Sequence, residues 1–294
     1  MANGKIIDLM KYKILPIAGD ASFRSFYRIV INKTSKIIVF AQRDKYKNLV
    51  AYLAVNNFLK NKGIITPKAY SYNYKKSIIT IEDFGDLSFY KVLLREKNKF
   101  FIYKKLVENL LKMQEIKPVS KLPSILVKHH LLKKYSTKYL HKESDLFFQW
   151  YLPLFFTKSR VSSIKKKTKR ILNQLYSNLN FPNKHFVHRD YHVQNLMQFR
   201  GKVGVIDSQD ALIGNPAYDL ASLVDDVRIK TSKKLKTKIY NYYINKNHNI
   251  NKKNSSKFLE DFNILSVQRN LKIIGIFVRL YKRDKKRKYL KFIP

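Results

Sequence analysis

Between residues 185 and 195 the chain reads HFVHRDYHVQN, with three histidines, an arginine, an aspartate and an asparagine close together. Two chemistries could use such a set. His185, His188 and His192 are spaced three and four apart, so on a helix they would share a face and could ligate zinc. Nothing nearby completes that site, because no Glu follows the first member of the 188/192 pair and the loop offers no further ligand signal beyond His185. The zinc reading is set aside on those grounds.

The second reading gives each polar residue a role. Asp190 and Asn195 lie five positions apart, and Asp207 follows in KVGVIDSQD, where an apolar, β-branched run reads as a strand ending in polar residues. Phosphoryl transfer requires a carboxylate that orients the attacking hydroxyl and accepts its proton, together with oxygen ligands that hold Mg²⁺ against nucleotide phosphates. Asp190 is the candidate base; Asn195 and Asp207 are the candidate metal ligands. One amide and one carboxylate suit Mg²⁺, which keeps several waters and takes other ligands from phosphate. HRDYHVQN also fits the HRDxxxxN pattern of a kinase catalytic loop. A lone loop Asp is more often a turn or cap residue. The joint occurrence of all three groups, the last behind a strand, argues against that reading here.

These residues need a scaffold. Residues 21–42 read as two or more strands broken by the turn-forming NKTSK, hence a hairpin. Residues 46–61 carry apolar side chains at helical spacing and stop at Gly63. Ser77 to Ile81 read as a strand that the acidic, Gly-containing segment 82–86 ends. Beyond residue 88 the pattern is mainly helical, over 99–114, 123–141, 145–156 and 160–179, with Pro153 and Pro182 as interruptions. The 185–195 stretch reads as a loop. A helix follows from 216, with Pro216 in its first turn behind Asn215 as cap, and the segment 256–280 is again an amphipathic helix.

VHRDYHVQNLM, GVIDSQDALIGNPAYDLASLVDD and QRNLKIIGIFVRL together resemble the aminoglycoside phosphotransferase superfamily. Within it, the chain is similar to the bacterial N-acetylmuramate/N-acetylglucosamine anomeric kinases of cell-wall recycling. The resemblance extends to GDASFRSFYRI, TIEDFGD and ESDLFFQWYL, and so covers nearly the whole chain. It implies an α+β, two-lobed, protein-kinase-like fold. A small β-rich nucleotide-binding lobe (residues 1–84) would precede a larger, mainly helical catalytic and acceptor-binding lobe (residues 85–294). It implies ATP and Mg²⁺ as cofactors, and transfer of the γ-phosphoryl to the anomeric hydroxyl of an N-acetylated amino sugar.

By the same resemblance, GDASFRSFYR is the nucleotide-covering turn, where Gly19, Ala21 and Ser22 would let backbone N–H groups approach phosphate. TIEDFGD is the hinge, where the backbone of Glu82, Asp83 and Phe84 would pair with the adenine edge. Asp219 corresponds to a buried helical Asp that braces the catalytic loop. Departures are equally specific. A kinase places a Lys on the third strand, paired with a Glu on the next helix. Here IIVFAQRD has no Lys in its core and helix 46–61 has no acidic residue. The paired loss is coherent, since a Glu without its Lys would be a buried charge lacking a partner. Arg24, Arg28 and Arg43 are the candidates for the missing positive charge. Ser208 stands where protein kinases carry Phe, which argues against activation-loop control of that type. The chain ends at YLKFIP, earlier than the resemblance leads one to expect, so a final helix is expected to be missing.

For the acceptor, Gln209 and Asp210 lie just past a proposed Mg²⁺ ligand, while Glu143, Asp145 and the single Trp, Trp150, could contribute hydrogen bonds or a stacking face. A pocket for an aminoglycoside polycation should be rich in carboxylates. With 20 acidic against 60 basic residues this chain is poorly equipped for one, and choline or ethanolamine is disfavoured for the same reason. An anionic or neutral sugar fits better.

Length and composition set the outer bounds. The chain has 294 residues, 45% of them hydrophobic, enough for a substantial core and unlike a disordered protein. A net charge of +40 could serve nucleic acid, anionic lipid or a polyphosphate ligand. Lys travels with abundant Asn, Ile and Tyr throughout, the signature of an A/T-biased coding sequence, so charge alone names no partner and nucleic acid is not required. Runs such as IKKKTKR (164–170) read as solvated faces. A basic pseudokinase that binds nucleic acid or membrane would explain the charge and leave Asp190, Asn195 and Asp207 without a purpose. No Cys, no signal-peptide pattern and no run of membrane-span length lead to the expectation of a cytoplasmic, soluble monomer.

Overall fold

β-branched and aromatic residues dominate on either side of the turn-forming NKTSK, and they form two strands. β2 (Arg24–Ile31) pairs antiparallel with β3 (Thr34–Ala41), from Arg24 opposite Ala41 to Ile31 opposite Thr34. In the computed structural model, which describes residues 12–17, 24–32, 34–41, 47–124 and 127–293, this hairpin is the middle of a five-stranded sheet. β1 (Tyr12–Ile17), β4 (Ala69–Asn73) and β5 (Ile78–Glu82) complete it in the order β1-β2-β3-β5-β4, antiparallel throughout. The reading of the sequence missed β1 and β4. Both are edge strands with mostly exposed side chains, so they carry no buried alternation to read. Gly19, Ala21, Ser22 and Arg43 lie outside the described residues.

The expected helix after the hairpin is α1 (Lys47–Asn61), and it has two buried faces. Leu49, Tyr52 and Leu53 pack on Val39, Ile79 and Ile81 of the sheet. Ala54, Val55 and Leu59 belong to the core of the helical part. One helix therefore joins both cores. The helical part continues with α2 (Phe89–Arg95) and α3 (Lys99–Glu115). After two short strands come α4 (Thr137–Leu146), a π-helical turn at Phe147–Tyr151 and α5 (Lys158–Ser177). α6 (Ala217–Val224), α7 (Lys233–Lys246) and α8 (Ser255–Lys282) close it. Asn215 accepts the backbone N–H of Ala217 through its side chain, so it caps the first turn of α6 as expected.

Of the helix expected over 123–141, only the last few residues are helical. β6 (Lys121–Pro123) pairs with β7 (His129–Leu131), and helix begins only at Thr137. Tertiary partners decide this: the backbone of Lys133 and Tyr135 exchanges hydrogen bonds with Ile213, which removes the groups a helix would use. The expected 185–195 loop likewise begins as a strand. β8 (His185–Val187) pairs with β11 (Leu212–Gly214), and β9 (Leu196–Phe199) pairs with β10 (Lys202–Val205). The residues with chemistry sit in the connections between these short strands.

α8 is the longest helix among the described residues, and none is long and apolar enough to cross a membrane. It passes so near the end of α4 that a Cβ at Gly275 would lie 2.3 Å from the backbone carbon of Leu146. In a free helix, Gly→Ala gains about 1 kcal/mol. At this crossing the clash with backbone should win, and Gly275→Ala should lose about 1–3 kcal/mol of stability. Urea denaturation measures the sign, and a stabilised variant would contradict the crossing.

Candidate active site

The backbone of the 188–195 loop is anchored from below. Where β8 ends, the backbone N–H groups of His188 and Arg189 donate to the two carboxylate oxygens of Asp219 on α6, at 2.6 and 3.0 Å. Asp219 is fully buried, and burial pushes its carboxyl up to about 6, against the pull of these two amides. Arg189 has φ of 73°, a left-handed conformation uncommon outside glycine. The turn it makes sends Asp190 into the cleft.

His185 and His188 take separate backbone partners. His185 Nδ1 meets the carbonyl of Gln114 at 3.1 Å. His188 Nε2 meets the carbonyl of Ile206 at 3.0 Å, while its Nδ1 accepts the backbone N–H of Asp190 at 3.3 Å. That pattern fits a neutral ring protonated on Nε2. Burial and the neighbouring Arg228 push His192 down to about 3, so it too is neutral. His185 and His188 thus hold backbone, whereas His192 borders the cleft.

Asp190, Asn195 and Asp207 come together on one wall of a cleft of about 550 Å³ between the sheet and the helical part. The Asn195 amide nitrogen donates to the carbonyl of Asp190 at 3.1 Å, which leaves its oxygen as the side-chain acceptor. The carbonyl of Asn195 accepts the N–H of Ile206 at 3.1 Å, bringing the two proposed ligands side by side. Asp207 adopts φ 68° and ψ 37°, which turns its carboxylate out of the strand direction. A carboxylate and an amide oxygen on adjacent backbone match the donor chemistry of Mg²⁺.

Lys272 of α8 approaches the Asp190 carboxylate to 3.6 Å and Glu143 of α4 to 3.0 Å. Burial would raise the Asp190 carboxyl, but Lys272, with Arg189 in support, holds it well below the usual carboxylate range. Its side chain is still 39% exposed, open to an acceptor. Neither Lys272 nor Arg269, which lines the same cleft, was singled out from sequence. The available signal was a charge on the apolar phase of QRNLKIIGIFVRL, where Lys272 adjoins buried Ile273.

The remaining expected residues divide. Gln209 and Asp210 line the cleft. Gln209 accepts from Arg24 at 3.0 Å and donates to Asp210 at 3.1 Å. Glu143 and Trp150 are not among the lining residues. Glu143 is buried beneath the loop, where it accepts from Arg189, Tyr135 and Gln268 and pairs with Lys272. Asp145 is paired with Lys169 at 2.8 Å on the flank of α5. At the hinge, Glu82, Asp83 and Phe84 all border the cleft. Phe84 stacks on Phe199 at 4.1 Å, and Gly204 makes room, since a Cβ there would meet Phe84 at 2.7 Å.

Of the described candidates for the missing strand cation, Arg28 is engaged elsewhere. It clamps the hinge, with Nε on Asp83 at 2.5 Å and Nη1 on Asp86 at 2.9 Å. Arg24 is buried, projects from β2 into the cleft and reaches Asp207 at 2.5 Å.

The pattern that describes the phosphotransferase enzyme family matches residues 13–247. An N-acetylmuramate/N-acetylglucosamine kinase of Neisseria meningitidis serogroup B is 27% identical over 280 residues, 94% of this chain and 81% of that one. Among solved structures, an ethanolamine kinase of Plasmodium vivax superposes with a TM-score of 0.67 at 12% identity, over 96% of this chain and 80% of its own. An aminoglycoside phosphotransferase with ADP bound gives 0.63 at 16% identity, over 95% and 90%. These two share the two-part architecture, a sheet followed by a mainly helical region.

The Lys272 contact has a consequence for titration. Asp190 should remain ionised through the ordinary carboxylate range in the wild type. In Lys272→Met, burial is left without its main counterweight, so the Asp190 pKa should rise by about one to three units. The carboxyl ¹³C shift of Asp190 against pH measures this, and an unmoved titration would remove Lys272 from the role.

Proposed function

The chain belongs to the phosphotransferase enzyme family, and on that footing we propose that it is an ATP-dependent kinase acting on an N-acetylated amino sugar at its anomeric hydroxyl, within cell-wall recycling. The observation that carries the reading is Asp190, ionised and partly open, on the same cleft wall as Asn195 and Asp207. The relative from Neisseria meningitidis supports the choice of sugar. A cationic acceptor would face Arg228, Arg269 and Lys272 on this wall, an unfavourable arrangement.

In this reading Asp190 orients the acceptor hydroxyl and takes its proton as the oxygen forms its bond to the γ-phosphorus. The bond to the leaving ADP oxygen breaks in the same displacement. Asn195 and Asp207 would hold Mg²⁺, which neutralises charge on the phosphates when bound. Lys272 keeps Asp190 ionised. Arg24 takes the place of the strand lysine: in the nucleotide complex its guanidinium would turn from Asp207 to phosphate, freeing that carboxylate for the metal. The hinge backbone at Glu82 to Phe84 would meet the adenine, with Phe84 held by Phe199. Where the glycine-turn residues Gly19, Ala21 and Ser22 contribute, they do so through backbone N–H groups.

Two measurements test this. ADP release should depend on N-acetylmuramate or N-acetylglucosamine and be absent with kanamycin or choline. Asp190→Asn should lower kcat by about 10²–10⁴-fold. Acceptor-independent ADP release, or unchanged kcat in Asp190→Asn, would sink the proposal. Arg24→Gln should weaken ATP binding by about tenfold or more in calorimetry, since a charge-assisted hydrogen bond is lost; unchanged affinity would leave the strand cation unassigned.

A further inference from the structure

α8 forms one wall of the acceptor side of the cleft. Arg269, Lys272, Ile273, Ile276 and Arg279 border the cavity at spacings of three and four, so a single helix face presents cations interleaved with apolar side chains. Most cations in the cleft have a carboxylate. Arg24 reaches Asp207, Arg28 reaches Asp83 and Asp86, Arg228 reaches Asp226 at 3.0 Å, and Lys272 reaches Glu143 and Asp190. Arg269 differs. It is only 2% exposed, and its Nε and Nη1 are buried without a hydrogen-bond partner. Asp190 and Asp226 feel its charge but do not hydrogen-bond to it.

A guanidinium removed from water without hydrogen bonds is unfavourable, and its planar fork is matched by a carboxylate, which can accept two parallel bonds. The transferring phosphoryl already has a cation beside the base, Lys272 at 3.6 Å from Asp190. Arg269 stands one turn before Lys272 on the same helix and borders the same cavity. We infer that Arg269 is a specificity-determining residue that binds a carboxylate substituent on the acceptor, so that the enzyme favours an acidic N-acetylated sugar over its neutral counterpart. Ile273 and Ile276 beside it suit the methyl groups of such a sugar. This rests on the sugar-kinase reading and adds to it which part of the acceptor is recognised, and by which side chain.

N-acetylmuramate and N-acetylglucosamine differ by the lactyl ether that carries the carboxylate, so the pair is the probe. Steady-state kinetics with saturating ATP give kcat and KM for each sugar in the wild type, Arg269→Met and Arg269→Lys. The ratio of kcat/KM for N-acetylmuramate to that for N-acetylglucosamine should fall about tenfold or more in Arg269→Met, mainly through KM for the acidic sugar. Arg269→Lys keeps the charge and loses the fork, so it should fall between wild type and Met. If both sugars lose equally, Arg269 acts on the phosphoryl group and the inference is overturned; an unchanged ratio overturns it as well. Thermal melts accompany each variant, and should Arg269→Met fail to fold, the ratio in Arg269→Lys decides. Wild-type enzyme that turns over neither sugar would instead defeat the functional reading itself. That result is distinct, because it appears before any substitution is made.

Discussion

The carboxylate of Glu143 is the contact on which the site depends. It lies buried between α4, the catalytic loop and α8, bonded to Arg189 of the loop and paired with Lys272 of the helix. Lys272 and Arg189 hold Glu143 down to about 2 against burial, and they carry on to Asp190. A single acid thus sets the cations that hold the Asp190 carboxyl down. Such a network is weak support for overall stability, because desolvation opposes the Coulomb attraction, but removing one member leaves an uncompensated buried charge at a cost of about 3–5 kcal/mol. Its benefit is geometric. Tyr135, Tyr218 and Gln268 also direct polar atoms at Glu143, so its position is overdetermined.

From this anchor the rest of the cleft can be ordered by charge. Asp219 holds the loop backbone, Asp226 holds Arg228 and the N–H of Val193, and Asp83 with Asp86 holds Arg28 at the hinge. Few of the chain's 20 acidic residues are idle near the site. In a protein with 60 basic residues, carboxylates mark where a cation must be placed with accuracy, and the surplus lies elsewhere. The run at 164–170, for example, sits on α5, with Lys165 and Lys169 toward Asp145 and much of the rest exposed. The net charge therefore says little about the cleft, whose own balance is set pair by pair.

Some of this was legible in the amino-acid sequence. That Asp190, Asn195 and Asp207 line one cleft was, because one loop and the next strand carry them at fixed spacing. α1 and α8 were legible from their apolar periodicity, and the β2–β3 hairpin from β-branched and aromatic residues interrupted by the turn-forming NKTSK. Of the helix expected over 123–141 only the part from Thr137 forms, because strand-like hydrogen bonds to Ile213 overrode a local pattern before it. β1 and β4 were missed because exposed edge strands lack the alternation that burial imposes.

The sequence by itself determined the family and the spacing of Asp190, Asn195 and Asp207, with a strand and helix that lack the usual Lys and Glu. Tertiary structure alone decided which charges surround those residues. Arg24 meets Gln209 across 185 positions, and Arg189 meets Glu143 across 46. No local pattern encodes such pairs. They arise because α1 joins the two cores and because α8, admitted by Gly275, lies against α4 closely enough for Lys272 and Arg269 to border the cleft. A charged residue on a helix can be read as solvated, paired or poised for a ligand, and only the groups packed around it distinguish the three.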